Sequence, residues 1–387
     1  MWVPPVVRGI MLVETMKCIV ASCYGGKEAF GSILSVAMDR PRPIRGKGQL
    51  LLQVQACSLA PGDVRTLSGW TKLVQKPASW PYIPGGDVVG VVAEADPKCD
   101  KFKVGDCVVA RFEGTPQGGL AEYTAVSTQL SGLKPAEMSI VDAAAVPASV
   151  TVALLTAKAW VREGDRVLVI GGTGGVGSHL VQLLKRAGAS YVAATSKTHP
   201  ALLRSFAGVD RVIDREEECW HTIAEFKERP FDLVFDLAAP GKPSAAWGHA
   251  KGILKSGWHG GRFVTLAGPT PHFKVQTVPQ ALGLMRTILL GGAGPKIMPW
   301  LPRYSWFTGG LASPIKDELY AEIFMLVNDS KLRIVTDPAG PFPFTVEGVL
   351  DAFALQESRH TQGKVVVLVG AATAASATGL PRAVDVM

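Results

Sequence analysis

A glycine-rich turn is the part of the sequence whose residue types and spacing most directly suggest chemistry. Gly172, Gly174 and Gly177 follow the apolar run 167–170 and precede an amphipathic segment, which predicts a buried strand, a tight turn and a helix. Their spacing fits the dinucleotide fingerprint, in which glycines form the turn, admit the pyrophosphate and allow close helix packing. The helix N-terminus then offers free N–H groups to the anion. The residues predicted to bind the cofactor here are Gly172, Thr173, Gly174, Gly175, Val176 and Gly177.

The end of the next predicted strand, 191–195, indicates which dinucleotide is bound. An NAD enzyme carries Asp or Glu at this place, where the carboxylate binds the ribose hydroxyls. This chain has Ser196 and Lys197 instead, and a hydroxyl beside a cation suits a 2′-phosphate. The sequence therefore predicts NADPH as the cofactor. The alternative is that Lys197 is an ordinary surface lysine at a strand end.

Strands and helices alternate around the glycine turn, from residue 166 to about residue 268. The predicted strands cover 166–171, 191–195, 210–214, 231–237 and 261–267, and the predicted helices cover 176–187, 199–206, 217–227 and 244–255. This alternation implies right-handed crossovers and a doubly wound parallel sheet. Later helices are predicted at 279–290, 314–328 and 346–357, with a closing strand at 363–369.

Residues 48–126 have a different character. Short alternating strands are predicted at 49–56, 88–93, 107–110 and 121–124, and Pro and Gly separate them. Several short strands with such turns are typical of a small barrel-like module. An Ala-rich helical segment, 140–158, connects this module to the alternating part.

Composition limits the classes of protein that remain. The chain has 387 residues, of which 47% are apolar and 19% charged, values that indicate a globular protein with about two domains. The net charge is +7, but Lys and Arg are spread along the chain, which argues against a nucleic-acid partner. No apolar run reaches the roughly 18 residues that a membrane span needs, so no span is predicted.

The six cysteines lack metal-site or Cys-x-x-Cys spacing, which fits a reducing compartment. The cytoplasm is the expected location. The alternative is a mitochondrion or plastid, reached through a targeting peptide that includes residues 1–15.

Several ordered motifs resemble the medium-chain dehydrogenase/reductase superfamily, and within it the zinc-independent quinone oxidoreductase branch and its reticulon-interacting-protein-like group. They are the glycine turn and the segments 81–90, 102–108, 118–123, 304–307 and 357–364. The resemblance covers residues 16–370 and implies an α/β protein in which a Rossmann domain is inserted into a GroES-like catalytic domain. We therefore expect an N-terminal extension at 1–15, a catalytic domain at 16–143 and 335–370, a Rossmann domain at 144–334 and a disordered tail at 371–387.

The resemblance also implies that this chain binds no zinc. Ala60 and Gly86 stand where zinc-dependent members carry a Cys and a His ligand, and the segment 147–151 contains no Cys. A catalytic zinc needs about three protein ligands.

The same resemblance assigns residues to the reaction site. It implies that Asp63 and Thr151 lie beside the nicotinamide and the substrate, and that Arg215 and Arg359 reach the cofactor phosphates. Asp63 has an alternative role as a helix cap, and both arginines have an alternative as solvated surface groups. Arg65 stands where relatives often have Tyr, which leaves the substrate open.

Without a metal to polarise an alcohol or a ketone, an electron-poor conjugated acceptor is the expected substrate. We therefore predict hydride transfer from NADPH to a quinone or an α,β-unsaturated carbonyl compound. Two alternatives remain open: an NADPH-dependent enoyl-thioester reductase, and a non-catalytic NADPH-binding scaffold for a protein or RNA partner. The sequence does not fix the oligomeric state, although a homodimer agrees with the resemblance.

Overall fold

The computed structural model describes residues 14–73, 75–112, 118–238, 243–257, 260–266, 274–283, 285, 302–306 and 317–370. The strands are β1 (Thr15–Ala21), β2 (Leu34–Pro41), β3 (Gln49–Leu59), β4 (Asp87–Glu94), β5 (Cys107–Arg111), β6 (Tyr123–Ser127), β7 (Ser131–Leu133), β8 (Arg166–Ile170), β9 (Tyr191–Ser196), β10 (Arg211–Asp214), β11 (Leu233–Asp236), β12 (Arg262–Thr265), β13 (Arg303–Trp306), β14 (Phe342–Pro343) and β15 (Val365–Leu368). The α-helices are α1 (Phe30–Ile33), α2 (Pro61–Leu67), α3 (Ile140–Ala145), α4 (Thr151–Trp160), α5 (Gly177–Leu184), α6 (Pro200–Arg204), α7 (Ala224–Glu228), α8 (Pro243–Ala250), α9 (Asp317–Asn328) and α10 (Val346–Ser358).

The glycine turn belongs to a six-stranded parallel sheet with the order β10-β9-β8-β11-β12-β13. This order confirms the predicted doubly wound sheet, because strands to both sides of β8 are reached by crossovers. The sixth strand, β13, was not predicted. Its Tyr304 stacks on Phe263 of β12 with ring centroids 5.8 Å apart, so a Pro-, Gly- and aromatic-rich segment conceals a short edge strand.

The other main sheet is antiparallel, with the order β14-β15-β3-β4-β5-β7, and β6 also pairs with β3. Its strand β15 comes from the C-terminal part of the chain and pairs with β3, Val365 facing Leu59. The return of the chain that the resemblance implied is therefore present. The exact domain boundaries stay a prediction; the first strand begins at Thr15, one residue before the predicted start.

A long helix packs between the two sheets. The helix α3, a π-helical turn (Val146–Val150) and α4 run continuously from Ile140 to Trp160, a segment long and apolar enough by composition to cross a membrane. A helix was predicted here at 140–158, but not that it is long and apolar enough for a span; 72% of its apolar window is buried inside the fold. Its Ala153 belongs to a core cluster that includes Val109 of β5 and Val169 of β8. Such burial of an apolar helix is typical of the core helix of a globular fold.

Some predicted helices are shorter in the structure. The predicted helix 217–227 is replaced by the shorter Ala224–Glu228, because the chain before it turns to bury Trp220, which is 7% exposed. Residues 278–283 are helical, and most of the predicted remainder of the helix 279–290 lies outside the described residues. Residues 1–13, Trp300, Phe307 and the predicted tail 371–387 also lie outside them.

Candidate dinucleotide site and substrate cleft

The glycine turn connects β8 to α5 at the carboxyl end of the parallel sheet. Gly171 has a φ of +87°, which a residue with a side chain rarely adopts. A Cβ at Gly177 would lie 2.2 Å from the carbonyl oxygen of Gly171, so α5 can pack this closely only with glycine there. A Cβ at Gly174 would meet no heavy atom within 4 Å, so the space over the turn is open. These three features fit a phosphate lying over the turn.

Hydroxyl groups fix the turn against the neighbouring strand. The Thr195 hydroxyl accepts a hydrogen bond from the Gly171 N–H at 3.1 Å, and the Gly172 N–H donates to the Thr195 carbonyl at 2.9 Å. The hydroxyls of Thr173 and Ser196 lie 3.2 Å apart, and both side chains are buried. Ser196 also accepts a hydrogen bond from the His199 N–H at 3.0 Å. Thr173 and Ser196, which are predicted to bind the cofactor, therefore help to hold the glycine turn in position.

Two cationic residues follow the adjacent strands β9 and β10. Lys197 is exposed, with its ammonium 3.5 Å from a carboxylate oxygen of Glu216. The Arg215 N–H donates to the Ser196 carbonyl at 2.8 Å, which places the two cationic residues side by side at one edge of the sheet. This is the position that the sequence predicted for a 2′-phosphate.

Arg359 ends α10 in the left-handed conformation, with a φ of +59°. The next residue, His360, has its carbonyl oxygen 2.8 Å from Nε2 of His199, which follows β9. Burial and the positive charge of Arg359 lower the pKa of Arg65 to about 10, since Arg65 lies near it. Arg359, in the C-terminal segment, therefore adds positive charge between the end of β9 and α2.

Asp63 is fully buried at the start of α2. Its two carboxylate oxygens accept hydrogen bonds from the Ala60 N–H at 2.8 Å and the Gly85 N–H at 3.2 Å. Burial raises its pKa to about 7. These contacts favour the capping role that the sequence left as an alternative, and the catalytic role stays a prediction.

Thr151 begins α4, directly after the π-helical turn, and is 1% exposed. Its hydroxyl donates to the Val146 carbonyl at 3.2 Å, inside its own helix. Ser149, two residues earlier, lies against the glycine turn, because its hydroxyl oxygen is 3.1 Å from where a Cβ at Gly175 would stand. The role of Thr151 beside the nicotinamide stays a prediction, and Ser149 is the residue of this segment that the structure brings to the turn.

A buried ion pair connects the glycine turn with the antiparallel sheet. The Lys364 ammonium lies 3.1 Å from Asp87 and donates to the Leu59 carbonyl at 3.0 Å, and both charged side chains are about 3–4% exposed. The stem of Lys364 passes 3.2 Å from where a Cβ at Gly175 would stand. The neighbouring Gly363 N–H donates to the Thr173 carbonyl at 2.8 Å. Neither residue of this pair was predicted to have a role.

His179 on α5 is a second residue that the sequence analysis did not single out. Its Nε2 accepts a hydrogen bond from the Val335 N–H at 3.0 Å, so in the neutral ring Nδ1 carries the proton and donates to the Gly175 carbonyl at 2.6 Å. Burial, together with the charge of Lys364, lowers its pKa to about 4. A polar residue on the apolar face of a predicted helix was the available signal.

The positions that carry zinc ligands in zinc-dependent relatives hold residues that cannot ligate a metal through a side chain. Ala60 caps α2 and Gly86 precedes β4. In the described parts of the chain, no group of three or more His, Cys, Asp or Glu residues could hold a metal ion. The expectation that this chain works without zinc stays a prediction.

An antiparallel sheet completed by a C-terminal strand, beside a doubly wound sheet with a dinucleotide turn, defines a two-domain nicotinamide-dependent oxidoreductase. Two family models match the chain: the alcohol dehydrogenase GroES-like domain over residues 46–136, and the zinc-binding dehydrogenase over residues 207–367. The chain belongs to the medium-chain dehydrogenase/reductase superfamily and to its quinone oxidoreductase branch.

Individual relatives agree with this placement. The chain is 32% identical to an NADPH-dependent alkenal/one oxidoreductase of chloroplasts from Arabidopsis thaliana, over 92% of this chain and 80% of the relative. It is 28% identical to the mitochondrial NAD(P)H oxidoreductase RTN4IP1 of Mus musculus, over 94% of this chain and 93% of the relative. The solved quinone oxidoreductase of Coxiella burnetii is 25% identical, with a TM-score of 0.71 over 92% of this chain and all of that chain.

Proposed function

We propose that this protein reduces quinones or α,β-unsaturated carbonyl compounds with NADPH. The observation that carries the proposal is the open glycine turn, flanked by Lys197 and Arg215 after two adjacent parallel strands. The Arabidopsis relative is named for NADPH-dependent reduction of alkenals and alkenones. NADPH, when bound, supplies the hydride.

The residues of the chain would bind and orient the reactants. The turn Gly172–Gly177 would hold the pyrophosphate, since its open side has room over Gly174 and its glycines allow a close approach. Lys197, Arg215 and Arg359 would neutralise the phosphate charges. Asp63 and Thr151 remain candidates for the substrate side, although the described hydrogen bonds of both side chains are to backbone groups.

The proposal needs no metal because the acceptor is already electron-poor. Hydride adds to the conjugated system, and the resulting anion takes a proton from water or a hydroxyl group. The protein then contributes mainly orientation, which by itself lowers barriers substantially. Zinc-independence is part of this proposal.

The decisive experiment follows oxidation of NADPH and NADH with a simple quinone, an enone and an enoyl-CoA. We expect turnover of the quinone or the enone, with kcat/KM for NADPH at least about tenfold above that for NADH, as one good contact to the 2′-phosphate would give. A preference for the enoyl-CoA would favour the enoyl-thioester reductase. Tight NADPH binding without turnover of any acceptor would favour the non-catalytic scaffold.

Location and assembly are further parts of this proposal. Relatives are named as chloroplast or mitochondrial proteins, which supports an organelle over the cytoplasm that was the first expectation. A homodimer stays a prediction, and size-exclusion chromatography with light scattering would test it.

A further inference from the structure

Apolar side chains are exposed along one face of the helical segment between β12 and β13. Residues 278–283 and 285 are helical, and Val278, Leu282 and Met285 lie on one face because their spacing is i, i+4 and i+7. These three side chains are 65%, 59% and 55% exposed. The apolar face of a surface helix usually packs against the core, and exposed apolar side chains grouped in this way mark sites of interaction.

The start of this segment is bonded to the chain that leaves α2, in the antiparallel half of the molecule. The Val275 N–H donates to the Trp70 carbonyl at 2.6 Å, and the Leu73 N–H donates to the Val275 carbonyl at 3.4 Å. Val275 is fully buried, whereas Leu73 is 48% exposed. Leu73 therefore joins Val278, Leu282 and Met285, and these four side chains are termed the apolar patch.

Both segments that carry the apolar patch come from stretches of sequence without acidic residues. Residues 237–316 contain nine Lys and Arg and no Asp or Glu, whereas the rest of the chain has two more acidic than basic residues. Residues 64–86 contain three Lys and Arg and again no Asp or Glu. Lys72 is exposed next to Leu73, and the Lys274 ammonium lies 4.8 Å from the centroid of the Trp70 ring. The charge that accompanies the apolar patch is therefore positive.

We propose that the apolar patch docks this protein on the surface of an anionic lipid bilayer. Apolar side chains on one helical face enter the boundary between headgroups and acyl chains, and the accompanying Lys residues are attracted to anionic headgroups. A second copy of this chain fits the patch less well. A twofold contact would bring two positive, acid-free surfaces together, with no acidic residue from either segment to compensate them.

Docking at this place would also narrow the class of substrate, and this step rests on the proposed function. The apolar patch adjoins the chain that leaves α2, and α2 begins beside Asp63, the candidate for the substrate side. A quinone or enone with a long hydrocarbon tail partitions into the bilayer because its apolar surface avoids water. Such an acceptor would pass from the bilayer to the cleft without crossing the solvent.

The test measures sedimentation of the full-length protein with vesicles of phosphatidylcholine alone and of phosphatidylcholine mixed with phosphatidylglycerol. We expect binding to the mixed vesicles to be at least about tenfold stronger, because only they carry negative charge. Val278→Glu should weaken that binding by about tenfold, since it removes an apolar contact and adds repulsion. Val104→Glu is the matched control and should leave binding unchanged. Val104 is 66% exposed, as Val278 is at 65%, but lies in the turn before β5, outside both segments.

Several outcomes would overturn the docking proposal. They are no binding to the mixed vesicles, equal binding to both kinds, and an equal loss in Val104→Glu and Val278→Glu. Light scattering tests the other occupant: a wild-type dimer that Val278→Glu converts to a monomer would show that a second copy covers the apolar patch.

Sedimentation needs neither NADPH nor turnover, so failure of the reductase assay would leave the docking proposal standing. The substrate step has its own measurement, which is kcat/KM for a long-chain quinone in the mixed vesicles. We expect Val278→Glu to lower it by about tenfold, in proportion to the loss of binding, and to leave kcat/KM for a water-soluble quinone unchanged. An equal effect on both quinones, or none on either, would show that the bilayer does not deliver the substrate.

Discussion

Single side chains at the ends of β9 and β10 are predicted to determine which nicotinamide cofactor the turn accepts. Lys197 and Arg215 offer positive charge where a 2′-phosphate would lie, and Glu216, 3.5 Å from the Lys197 ammonium, offsets part of it. A phosphate must compete with that carboxylate for the lysine. We therefore expect the cofactor preference to depend on the balance of charge among these three residues.

Replacing Lys197 with Ala tests this balance. We expect KM for NADPH to rise about tenfold, since a hydrogen bond to a charged group contributes about 1.5–3 kcal/mol, while kcat and KM for NADH change little. Steady-state kinetics with both cofactors measure the effect. Lys255→Ala is the control, because that lysine pairs with Asp232 at 2.7 Å elsewhere. An unchanged KM for NADPH would show that Lys197 has no part in binding the phosphate.

The contacts of Asp63 lead to a prediction that separates its two candidate roles. In Asp63→Asn, one of the N–H groups of Ala60 and Gly85 faces an amide donor in place of an oxygen acceptor. We expect a loss of about 1–3 kcal/mol in the free energy of unfolding, with kcat reduced less than about tenfold. Thermal unfolding and steady-state kinetics below the melting temperature measure the two effects. A large fall in kcat at unchanged stability would establish the catalytic role instead.

Residue roles could be predicted where spacing along the chain determines them. The glycines of the turn and Ser196 were identified as candidates in this way, because strand, turn and helix are local, and their cofactor roles stay predictions. The second partner of Asp63 could not be predicted, since the Gly85 N–H is brought to it by the fold from 22 residues away. The partner of His179 at residue 335 lies farther away still.

Among the secondary-structure elements, α5 does more than provide the helix N-terminus at which an anion is predicted to bind. Through His179 it connects the carbonyl of Gly175 with the backbone of Val335, which leads into the C-terminal return of the chain. The ring can do this only in its neutral form, because Nε2 must accept a hydrogen bond while Nδ1 donates one. The position of the turn therefore depends on the protonation state of a buried histidine.

Acid should weaken this connection. The pKa of His179 is about 4 in the folded protein and about 6.5 in an unfolded chain, so the stability it contributes is present above pH 6.5. That contribution is lost as the pH falls toward 4, by about 3 kcal/mol in all. Asp63 has the opposite sign, because its pKa of about 7 in the folded state is raised. Its contribution is present at low pH and is lost as the pH rises through 7.

A variant of His179 separates its contribution to the pH dependence of stability from that of Asp63. We expect His179→Leu to be less stable than the wild type at pH 7 by about 1–3 kcal/mol, because the Val335 N–H loses its acceptor. On going to pH 4.5 this difference should shift by about 2–3 kcal/mol in favour of the variant and so vanish or change sign, since only the wild type carries the histidine that resists protonation. Urea unfolding at both pH values measures it. A difference that stays constant with pH would mean that His179 is not neutral and buried.

Elements were predictable in proportion to how strongly their periodicity shows in the local sequence. The strands β8 to β12 alternate with helices, and their positions were predicted within two residues at each end. The strand β13 was missed because its place is fixed by stacking of Tyr304 on Phe263 and by packing on Trp247 rather than by a local pattern. The predicted helix 217–227 was too long for a similar reason, since burial of Trp220 competes with helix formation there.

Across the whole molecule, the two sheets are connected by chain segments as well as by the apolar core. The Gly363 N–H donates to the Thr173 carbonyl in the turn, and the next residue, Lys364, pairs with Asp87 at the start of β4. Ser58 of β3 adds a hydroxyl 3.4 Å from the same carboxylate. The dinucleotide turn is thus held directly against the antiparallel sheet, where the resemblance places the substrate.

A double-variant cycle measures how much this connection contributes to stability. Lys364→Met leaves Asp87 charged, buried and without its ammonium partner, which should cost about 3–5 kcal/mol. Adding Asp87→Asn removes the uncompensated buried charge, so the double variant should regain most of the stability that Lys364→Met loses. Lys331→Met is the control, because its pair with Asp329 is half-exposed at 2.7 Å and should change the free energy of unfolding by less than about 1 kcal/mol. Denaturant unfolding of the wild type, Lys364→Met, Asp87→Asn and the double variant gives the coupling energy. A coupling near zero would mean that the Lys364–Asp87 pair adds no stability to the contact between the two sheets.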